Sequence, residues 1–354
     1  MNNHQNTIII YGSYGYTGRL IARECKSRKL NVILSGRKQE ALQDQSKETG
    51  YPFEIVDLSD SVALRNLLLK GRVVIHCGGP FQFTAKTMAD MCLETHTHYT
   101  DITGEYQVFE MLAEYDSKAK DAGITILPGT GFDVVPSDCL AVYLKMKLPS
   151  ATHLMLAFTT SNGGLSRGTA KTMIEGLGQG SVIRKDGKLI HILLGEKVKE
   201  IDFGSFKAKC LNIPWGDIST AWHSTGISDI EVYMATSGKT IAGAKMSRYL
   251  NWLLKLRSVK NFILKKIEKK LTGPGIEKRN AGKSFLWGKV WDDSGNSCTA
   301  TLETINGYTL TAKASVLIAE KILKNNFKTG YQTPGTAYGA DLVLEIENTV
   351  RKIL

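Results

Sequence analysis

The segment IIIYGSYGYTGRLIARE, residues 8–24, constrains this chain more than any other stretch. Ile8, Ile9 and Ile10 are branched and apolar in a row, and read as a buried strand. Gly12, Gly15 and Gly18 follow at G-x-x-G-x-x-G spacing, and an amphipathic run from Thr17 to Arg28 reads as a helix. In such a unit the first glycine lets the chain turn sharply. The second lets the backbone approach a pyrophosphate, and the third lets helix and strand pack closely. The helix N-terminus offers unpaired N–H groups and a positive dipole end to the phosphates. A lone triad is a weak signal, but one between a strand and a helix near the N-terminus points to a dinucleotide site. Tyr14, Tyr16 and Thr17 belong to the same loop and join the candidate cofactor residues. The competing reading is a glycine turn that holds no ligand.

The next strand indicates which dinucleotide. Asn31 to Leu34 is short and apolar and runs into Ser35, Gly36, Arg37 and Lys38. An NAD site usually places an acid here to hold the ribose 2′-hydroxyl, whereas an Arg accommodates a 2′-phosphate. This strand end has two cations and no acid, and Arg37 can also lie flat over an adenine. NADP is therefore the expected cofactor, with Asp57 after the third strand on the same side of the site. The plainer alternative is that Arg37 and Lys38 begin a solvated helix.

Strand-like runs recur at 8–11, 31–35, 52–56, 73–77, 98–101 and 123–127, with helix-like runs near 17–29, 38–48, 60–70, 84–95 and 106–121. This alternation predicts a Rossmann-type doubly wound parallel sheet, whose ligands bind outside the carboxyl ends of the strands. The loops 77–81, 101–105 and 128–133 should then line the site, with Gly78, Gly79 and Pro80 along the cofactor. After about residue 150 the pattern turns β-rich, with runs at 153–160, 181–183, 189–194, 230–236, 288–292 and 298–304. These predict a second α+β domain with a largely antiparallel sheet. Helices are expected at 311–324 and 340–353. The expected division is 1–133 for cofactor and 134–310 for substrate, with 311–354 returning to the first domain. A chain of 354 residues has the length for two such cores.

The strings GSYGYTGRLIA, LSGRK, HCGGPF, YTDITGEY, GFDVVPSD, SRGTA, PWGDISTAWHSTG, TGPG and TPGTAYG run in order from residue 12 to 339. Together they resemble the saccharopine dehydrogenase-like oxidoreductases, and most of all the branch with mycobacterial trans-acting enoyl reductases. YTDITGE, GFDVVPSD and GDISTAWHSTG are the specific matches. The resemblance implies a Rossmann domain that binds NADP and a second α/β catalytic-like domain. It leaves the substrate open, because members act on imines, amino acids or lipid precursors. Tyr14 departs from the small residue common at its position, so its side chain should point away from the pyrophosphate.

Hydride transfer needs the nicotinamide held against the acceptor carbon, plus a proton source. Asp133, Tyr99 and Asp101 are the candidate catalytic residues, all at strand ends; Glu105 is nearby, and capping of a helix near Tyr106 is the plainer role for the two latter acids. Arg167, Thr169 and His223 are the candidate substrate residues. The first two lie at a helix start fit for an anion, and the third titrates near neutrality. Each also has a bland reading, as a capped helix with a solvated Arg and as an ordinary histidine. His96 and His98 lack further ligands at metal-site spacing, so no metal is expected.

The net charge is +11, and nine Lys or Arg against one Glu fall between Lys245 and Leu271. The excess is local, which argues against a nucleic-acid-binding chain. Trp252, Leu256, Val259, Ile263, Ile267 and Leu271 repeat at helical spacing, although Lys260 and Lys270 intrude on the stripe. One helix of this kind lies on an anionic membrane surface; the alternative packs it on its own domain or across the interface of a homodimer. The six cysteines are scattered with no C-x-x-C pair, and MNNHQNT lacks a signal peptide's apolar core. The expected setting is therefore cytoplasmic, with peripheral membrane contact.

These features converge on an NADP-dependent oxidoreductase that reduces a C=N or C=C bond in a small or lipid-linked substrate. A saccharopine- or opine-type dehydrogenase would call for several convergent Arg residues. Only Arg167, Arg184, Arg248, Arg257 and Arg279 are available between 151 and 310. The alternative from another class is a membrane-surface adaptor that keeps the Rossmann fold without turnover.

Overall fold

The computed structural model describes residues 6–161, 164–268 and 272–354. The chain forms two compact units, Met1–Val135 with Tyr308–Ala337 and Pro136–Gly307 with Tyr338–Leu354.

The first unit opens with β1 (Thr7–Tyr11), α1 (Tyr16–Ser27), β2 (Asn31–Gly36), α2 (Gln39–Thr49), β3 (Phe53–Ile55) and α3 (Ser61–Leu68). It continues through β4 (Val73–His76), α4 (Ala85–Thr95), β5 (His98–Asp101), α5 (Tyr106–Ala113), α6 (Asp116–Asp121) and β6 (Thr125–Leu127). The strands lie side by side as β6-β5-β4-β1-β2-β3, every pair parallel. Ile8, Ile9 and Ile10 are fully buried because β1 pairs β2 on one edge and β4 on the other, with helices on the faces. Strand order reverses beside β1, which puts the ligand crevice at the carboxyl ends of β1 and β4. The expected helix over 106–121 is two pieces. It breaks at Glu114 and Tyr115, where the Tyr115 N–H donates to the Leu112 carbonyl at 3.1 Å and the phenol bonds Asp90 Oδ1 at 2.6 Å.

The second unit begins with α7 (Val135–Lys147), β7 (His153–Thr160), α8 (Arg167–Glu175), β8 (Ser181–Lys185), β9 (Lys188–Ile192), β10 (Val198–Asp202) and β11 (Lys207–Asn212). Then come α9 (Asp217–Thr225), β12 (Asp229–Ala235), α10 (Gly238–Ser247), α11 (Asn251–Leu254), α12 (Arg257–Glu268), α13 (Ile276–Ala281), β13 (Lys283–Trp291) and β14 (Ser297–Ile305). The chain returns to the first unit with α14 (Gly307–Leu323) and β15 (Gly330–Tyr331), the latter added in parallel beside β6. It finishes with α15 (Pro334–Tyr338) and β16 (Val350–Ile353). The second sheet runs β10-β11-β12-β7-β13-β14-β16, with β8 and β9 attached through β12. Among the described residues of this sheet only β12 and β7 pair in parallel, so it is mixed but largely antiparallel.

Three expectations are corrected here, the first being that 311–354 returns whole to the first unit: only Tyr308–Ala337 does, and Tyr338–Leu354 belongs to the second. Residues 340–353 are not a helix. Leu342–Glu345 makes a 3-10 turn, Asn348 adopts φ 55°, and β16 fills the open edge of β14. The left-handed residue breaks helical continuity, and the sheet edge offers the backbone partners that a lone helix lacks. The segment 245–271 is not one helix either. α10, a 3-10 turn at Arg248–Leu250, α11 and α12 follow one another, and residues 269–271 lie outside the described residues. α12 is anchored separately on α8, where the Lys260 ammonium donates to the Glu175 carbonyl and Arg257 pairs with the Glu175 carboxylate.

Candidate functional site

The loop after β1 is shaped by what its glycines exclude. Gly12 has φ 75°, and a Cβ there would sit 2.9 Å from the Gly78 nitrogen. Its N–H and that of Ser13 donate to the Ser35 carbonyl at 2.8 and 3.2 Å, tying the turn to β2. At Gly18 a Cβ would meet the Ser13 carbonyl oxygen at 2.6 Å. Gly15 differs. Its φ is −63°, and an added Cβ would meet only the Gly12 carbonyl oxygen, at 3.2 Å. It is the N-cap of α1, with no side chain capping the helix and no acid in its first turn. Protein therefore fills the space at Gly12 and Gly18, whereas at Gly15 the helix N–H groups face an opening that suits a pyrophosphate. Thr17 is partly exposed on the first turn of α1, and Tyr16 stacks edge-on against Tyr308, ring centroids 4.9 Å apart.

The end of β2 fits the adenosine half. The Tyr14 ring lies over Gly36, whose Cβ would be 2.5 Å from Tyr14 Cε1, and the Tyr14 hydroxyl accepts from the Arg37 N–H at 3.3 Å. The bulky side chain thus turns towards β2 and leaves Gly15 open. The Arg37 guanidinium is 70% exposed, 3.8 Å from the Asp57 carboxylate. Asp57 is held below the usual carboxylate range by hydrogen bonds from the Ser59 N–H and hydroxyl, with Arg37 a lesser cause. Lys38 is exposed just ahead of α2. Ser35 is buried, and its hydroxyl donates to the Glu54 carbonyl, so it serves the loop through its backbone. Arg37 and Lys38 together offer a fork and a point charge to a 2′-phosphate. Replacing Arg37 with Ala should weaken NADPH binding about tenfold to hundredfold, the worth of a charge-assisted bidentate contact. NADH affinity should barely change. Paired fluorescence titrations check this, and equal losses for both cofactors would refute it.

The loop after β4 is braced from beneath. Burial drives His76 down to about 3, so it is neutral at ordinary pH. Its Nε2 lies 3.0 Å from Thr84 Oγ1, whose hydroxyl donates to the Gly78 carbonyl. A Cβ on Gly78 would meet His76 Cε1 at 3.1 Å. Gly79–Pro80 is a cis bond, and Gly79 packs on the Phe81 ring. Glu105 accepts from the N–H groups of Phe81 and Gln82, both at 2.9 Å. It caps the turn Phe81–Phe83 rather than the helix at Tyr106.

The three candidate catalytic groups occupy different environments. Tyr99 and Asp101 are fully buried, and the phenol donates to Asp101 Oδ2 at 2.5 Å. The other oxygen accepts from the N–H groups of Thr103 and Gly129, at 3.0 and 2.8 Å. Burial raises Asp101 to about 6 against these hydrogen bonds. The pair ties the end of β5 to the turn after β6, which makes both positioning residues in this geometry. Asp101→Asn puts an amide N–H where the carboxylate accepts. It should cost about 1–3 kcal/mol per donor left unpaired, lowering the melting temperature by several degrees in a thermal scan without cofactor.

Asp133 has the opposite character. It follows β6, is partly exposed, and has no hydrogen-bond partner among the described residues. It faces Gly104, where a Cβ would come within 2.9 Å of its carboxylate. Desolvation alone raises it to about 7. A carboxyl group half protonated at neutral pH, in the loop after β6 and against the loop after β5, is suited to donate a proton.

The second unit holds the remaining candidates. Ser166 caps α8, its hydroxyl accepting from the Thr169 N–H at 3.2 Å, and Arg167 is exposed on the first turn. His223 is exposed on α9. His96 and His98 diverge: His96 Nδ1 is 2.9 Å from the Ala122 carbonyl, and His98 Nδ1 accepts from the Thr125 N–H. Two residues of the returning helix escaped the sequence reading. Tyr308 packs on Tyr16, and Thr311 Oγ1 accepts from the Phe132 N–H at 2.9 Å, next to Asp133. No local motif marks either.

Residues 8–127 match the saccharopine dehydrogenase NADP binding domain. Among curated relatives, the saccharopine dehydrogenase-like oxidoreductase of Homo sapiens is 27% identical over 223 residues, which cover 54% of this chain and 52% of that protein. The chain thus spans about half the length of the relative. The trans-acting enoyl reductase of Mycobacterium ulcerans is 27% identical over 139 residues, 37% of this chain and 33% of its own. The fold of Saccharomyces cerevisiae saccharopine dehydrogenase (L-Glu forming) covers 99% of this chain and 100% of that one, with a TM-score of 0.67 and 13% identity. The open pyrophosphate position at Gly15 and the cations after β2 agree with the NADP named by the matching domain. Over residues 8–127 the chain is thus similar to the saccharopine dehydrogenase NADP binding domain, and over its whole length it shares the fold of saccharopine dehydrogenase.

Proposed function

We propose that this protein is an NADP-dependent oxidoreductase that reduces a C=N or C=C bond of a small or lipid-linked substrate, with Asp133 as proton donor. The observation that carries the reading is a carboxyl group, partly exposed in the loop after β6 and without a hydrogen-bond partner among the described residues, that desolvation raises to about 7. Bound NADPH supplies the hydride chemistry. The chain supplies the rest. The N-terminus of α1 and the glycine loop hold the pyrophosphate, and Arg37 and Lys38 hold the 2′-phosphate. The braced loop from Gly78 to Pro80 lies along the cofactor. Tyr99 and Asp101 fix the turn at Gly129 and, through it, the approach to Asp133. The Asp133 O–H bond breaks as its proton passes to the imine nitrogen or to the alkene carbon next to the hydride acceptor. Water then reprotonates the carboxylate.

The arginines of the second unit favour an acceptor with few carboxylates. Arg184 is buried and donates to the carbonyls of Ile218 and Gly187. Arg257 pairs with Glu175, and Arg279 donates to the Pro274 carbonyl. Arg167, Thr169 and His223 are the groups we assign to substrate. The enoyl reductase relative, by its name, acts on a C=C bond, which is why unsaturated acyl chains are included as acceptors. We infer a cytoplasmic setting from the free cysteines; no helix among the described residues is long and apolar enough to cross a membrane.

The test is deuteride transfer from labelled NADPH to a panel of cyclic imines and α,β-unsaturated acyl thioesters, read by mass spectrometry of the products. Incorporation that Asp133→Asn abolishes would bear out the assignment. Tight NADPH binding with no transfer to any acceptor would instead favour a Rossmann adaptor without turnover.

A further inference from the structure

We propose that α10, α11 and α12 of the second unit form a docking surface for an anionic membrane. The proposal is independent of the reductase reading, and its test involves no turnover.

Six large apolar side chains stand exposed within 17 residues of chain: Met246, Tyr249, Leu250, Trp252, Leu256 and Phe262. Trp252 is 68% exposed and Phe262 is 59% exposed. A folded unit ordinarily turns such residues inward, so six together mark a surface that something covers. The pieces that carry them pack in succession, α10 on the 3-10 turn, the turn on α11, α11 on α12, and α12 on α8. This makes a platform rather than a single amphipathic rod.

The charges identify the occupant. Lys245, Lys255, Arg257, Lys265 and Lys266 are exposed among these apolar residues. Lys260 is the exception, buried with its ammonium on the Glu175 carbonyl at the end of α8. Of the two lysines that interrupt the apolar stripe in sequence, this one is thus consumed in holding the platform to the unit. Lys266 lies 4.6 Å from the centre of the Phe262 ring, so cation and aromatic are presented together. Exposed Trp, Tyr and Phe interleaved with cations suit the boundary between acyl chains and anionic headgroups. A second copy of the chain suits them poorly. A two-fold interface sets the same patch against itself, and here that would oppose like charges on both sides.

The experiment is co-sedimentation of the full chain with vesicles of pure phosphatidylcholine and of equal parts phosphatidylcholine and phosphatidylserine, at low and high salt. The expected result is binding to the anionic vesicles that weakens with salt, with Trp emission shifting to the blue in wild type and not in Trp252→Phe. Each basic residue near the surface should contribute about fivefold in affinity. Reversing Lys255, Lys265 and Lys266 to Glu should therefore cost at least a hundredfold, with NADPH affinity and the thermal melt unchanged as controls on folding. Should that variant misfold, Trp252→Ala with Phe262→Ala gives a second reading, lowering binding that survives high salt. Absence of vesicle binding, or binding indifferent to both sets of changes, would overturn the proposal. So would a concentration-dependent dimer, broken by Trp252→Ala, in place of vesicle binding.

Discussion

Asp133→Asn should lower kcat by about a hundredfold to ten-thousandfold, the usual worth of a positioned general acid, while NADPH binds as before. An amide has the shape of the carboxyl group and does not deliver a proton to a substrate nitrogen or carbon. The substitution leaves no donor behind unpaired, because Asp133 makes no hydrogen bond among the described residues. Loss of rate would therefore report chemistry and not folding. The wild-type pH profile supplies the second reading. A group raised to about 7 must be protonated to act as an acid, so kcat/KM should be level below neutral pH and fall as pH rises through about 7. A profile unchanged by the substitution, or one that rises in this window, would remove Asp133 from the reaction.

The same carboxyl group makes a statement about stability. Its native value lies above the ordinary value of 3.8, so between about pH 4 and pH 7 the native chain holds a proton that the unfolded chain has lost. Stability contributed by Asp133 is present below that window and is lost as pH rises through it. The Asn variant should melt with wild type at pH 4 and above it at pH 8. Groups that work against stability at neutral pH are concentrated at functional sites, which is the physical reason to look for chemistry at this acid first.

Asp133 and Asp101 look alike in the sequence, each an acid at or after the carboxyl end of a strand of the parallel sheet. What separates them is the company the fold provides. Asp101 collects a phenol and two backbone N–H groups, one of them 28 residues away, and becomes a brace. Asp133 collects none among the described residues. The strand–turn–helix at residues 8–24 was legible because its signals are local: branched residues for burial, glycines where a Cβ has no room, and periodicity in α1. The end of β2 was legible for the same reason. The helix breaks at 245–271 were not: they fall at Arg248–Leu250 and between Leu254 and Arg257, in a run with no Gly or Pro to mark them. The pattern over 340–353 suits a helix or an edge strand, and the free edge of β14 decided between them. Tyr308 and Thr311 reach the site from some 180 to 290 residues away, beyond any spacing rule.

Gly15→Val and Gly18→Val should fail in different ways, and the difference tests the crevice itself. Valine at Gly18 puts a Cβ within 3 Å of three backbone atoms of the loop, the Ser13 carbonyl at 2.6 Å among them. Backbone cannot yield there without moving β1 or α1, and overpacking of this kind costs about 1–3 kcal/mol or more. This variant should lose stability whether or not cofactor is present. Valine at Gly15 meets only the Gly12 carbonyl oxygen at 3.2 Å, from an ordinary φ of −63°. The loop can relieve that contact by a few tenths of an ångström, so the chain should fold and melt near wild type. Its isopropyl group, however, stands over the N–H groups of α1, where the pyrophosphate must approach. NADPH affinity should fall by about a hundredfold or more, as phosphate loses charge-assisted bonds worth roughly 1.5–3 kcal/mol each. Thermal melts with and without NADPH resolve the two outcomes: the Gly15 variant keeps the wild-type midpoint and loses the shift that cofactor gives. A Gly15 variant that still binds NADPH tightly would mean that the pyrophosphate lies elsewhere, and that the glycine serves only the turn.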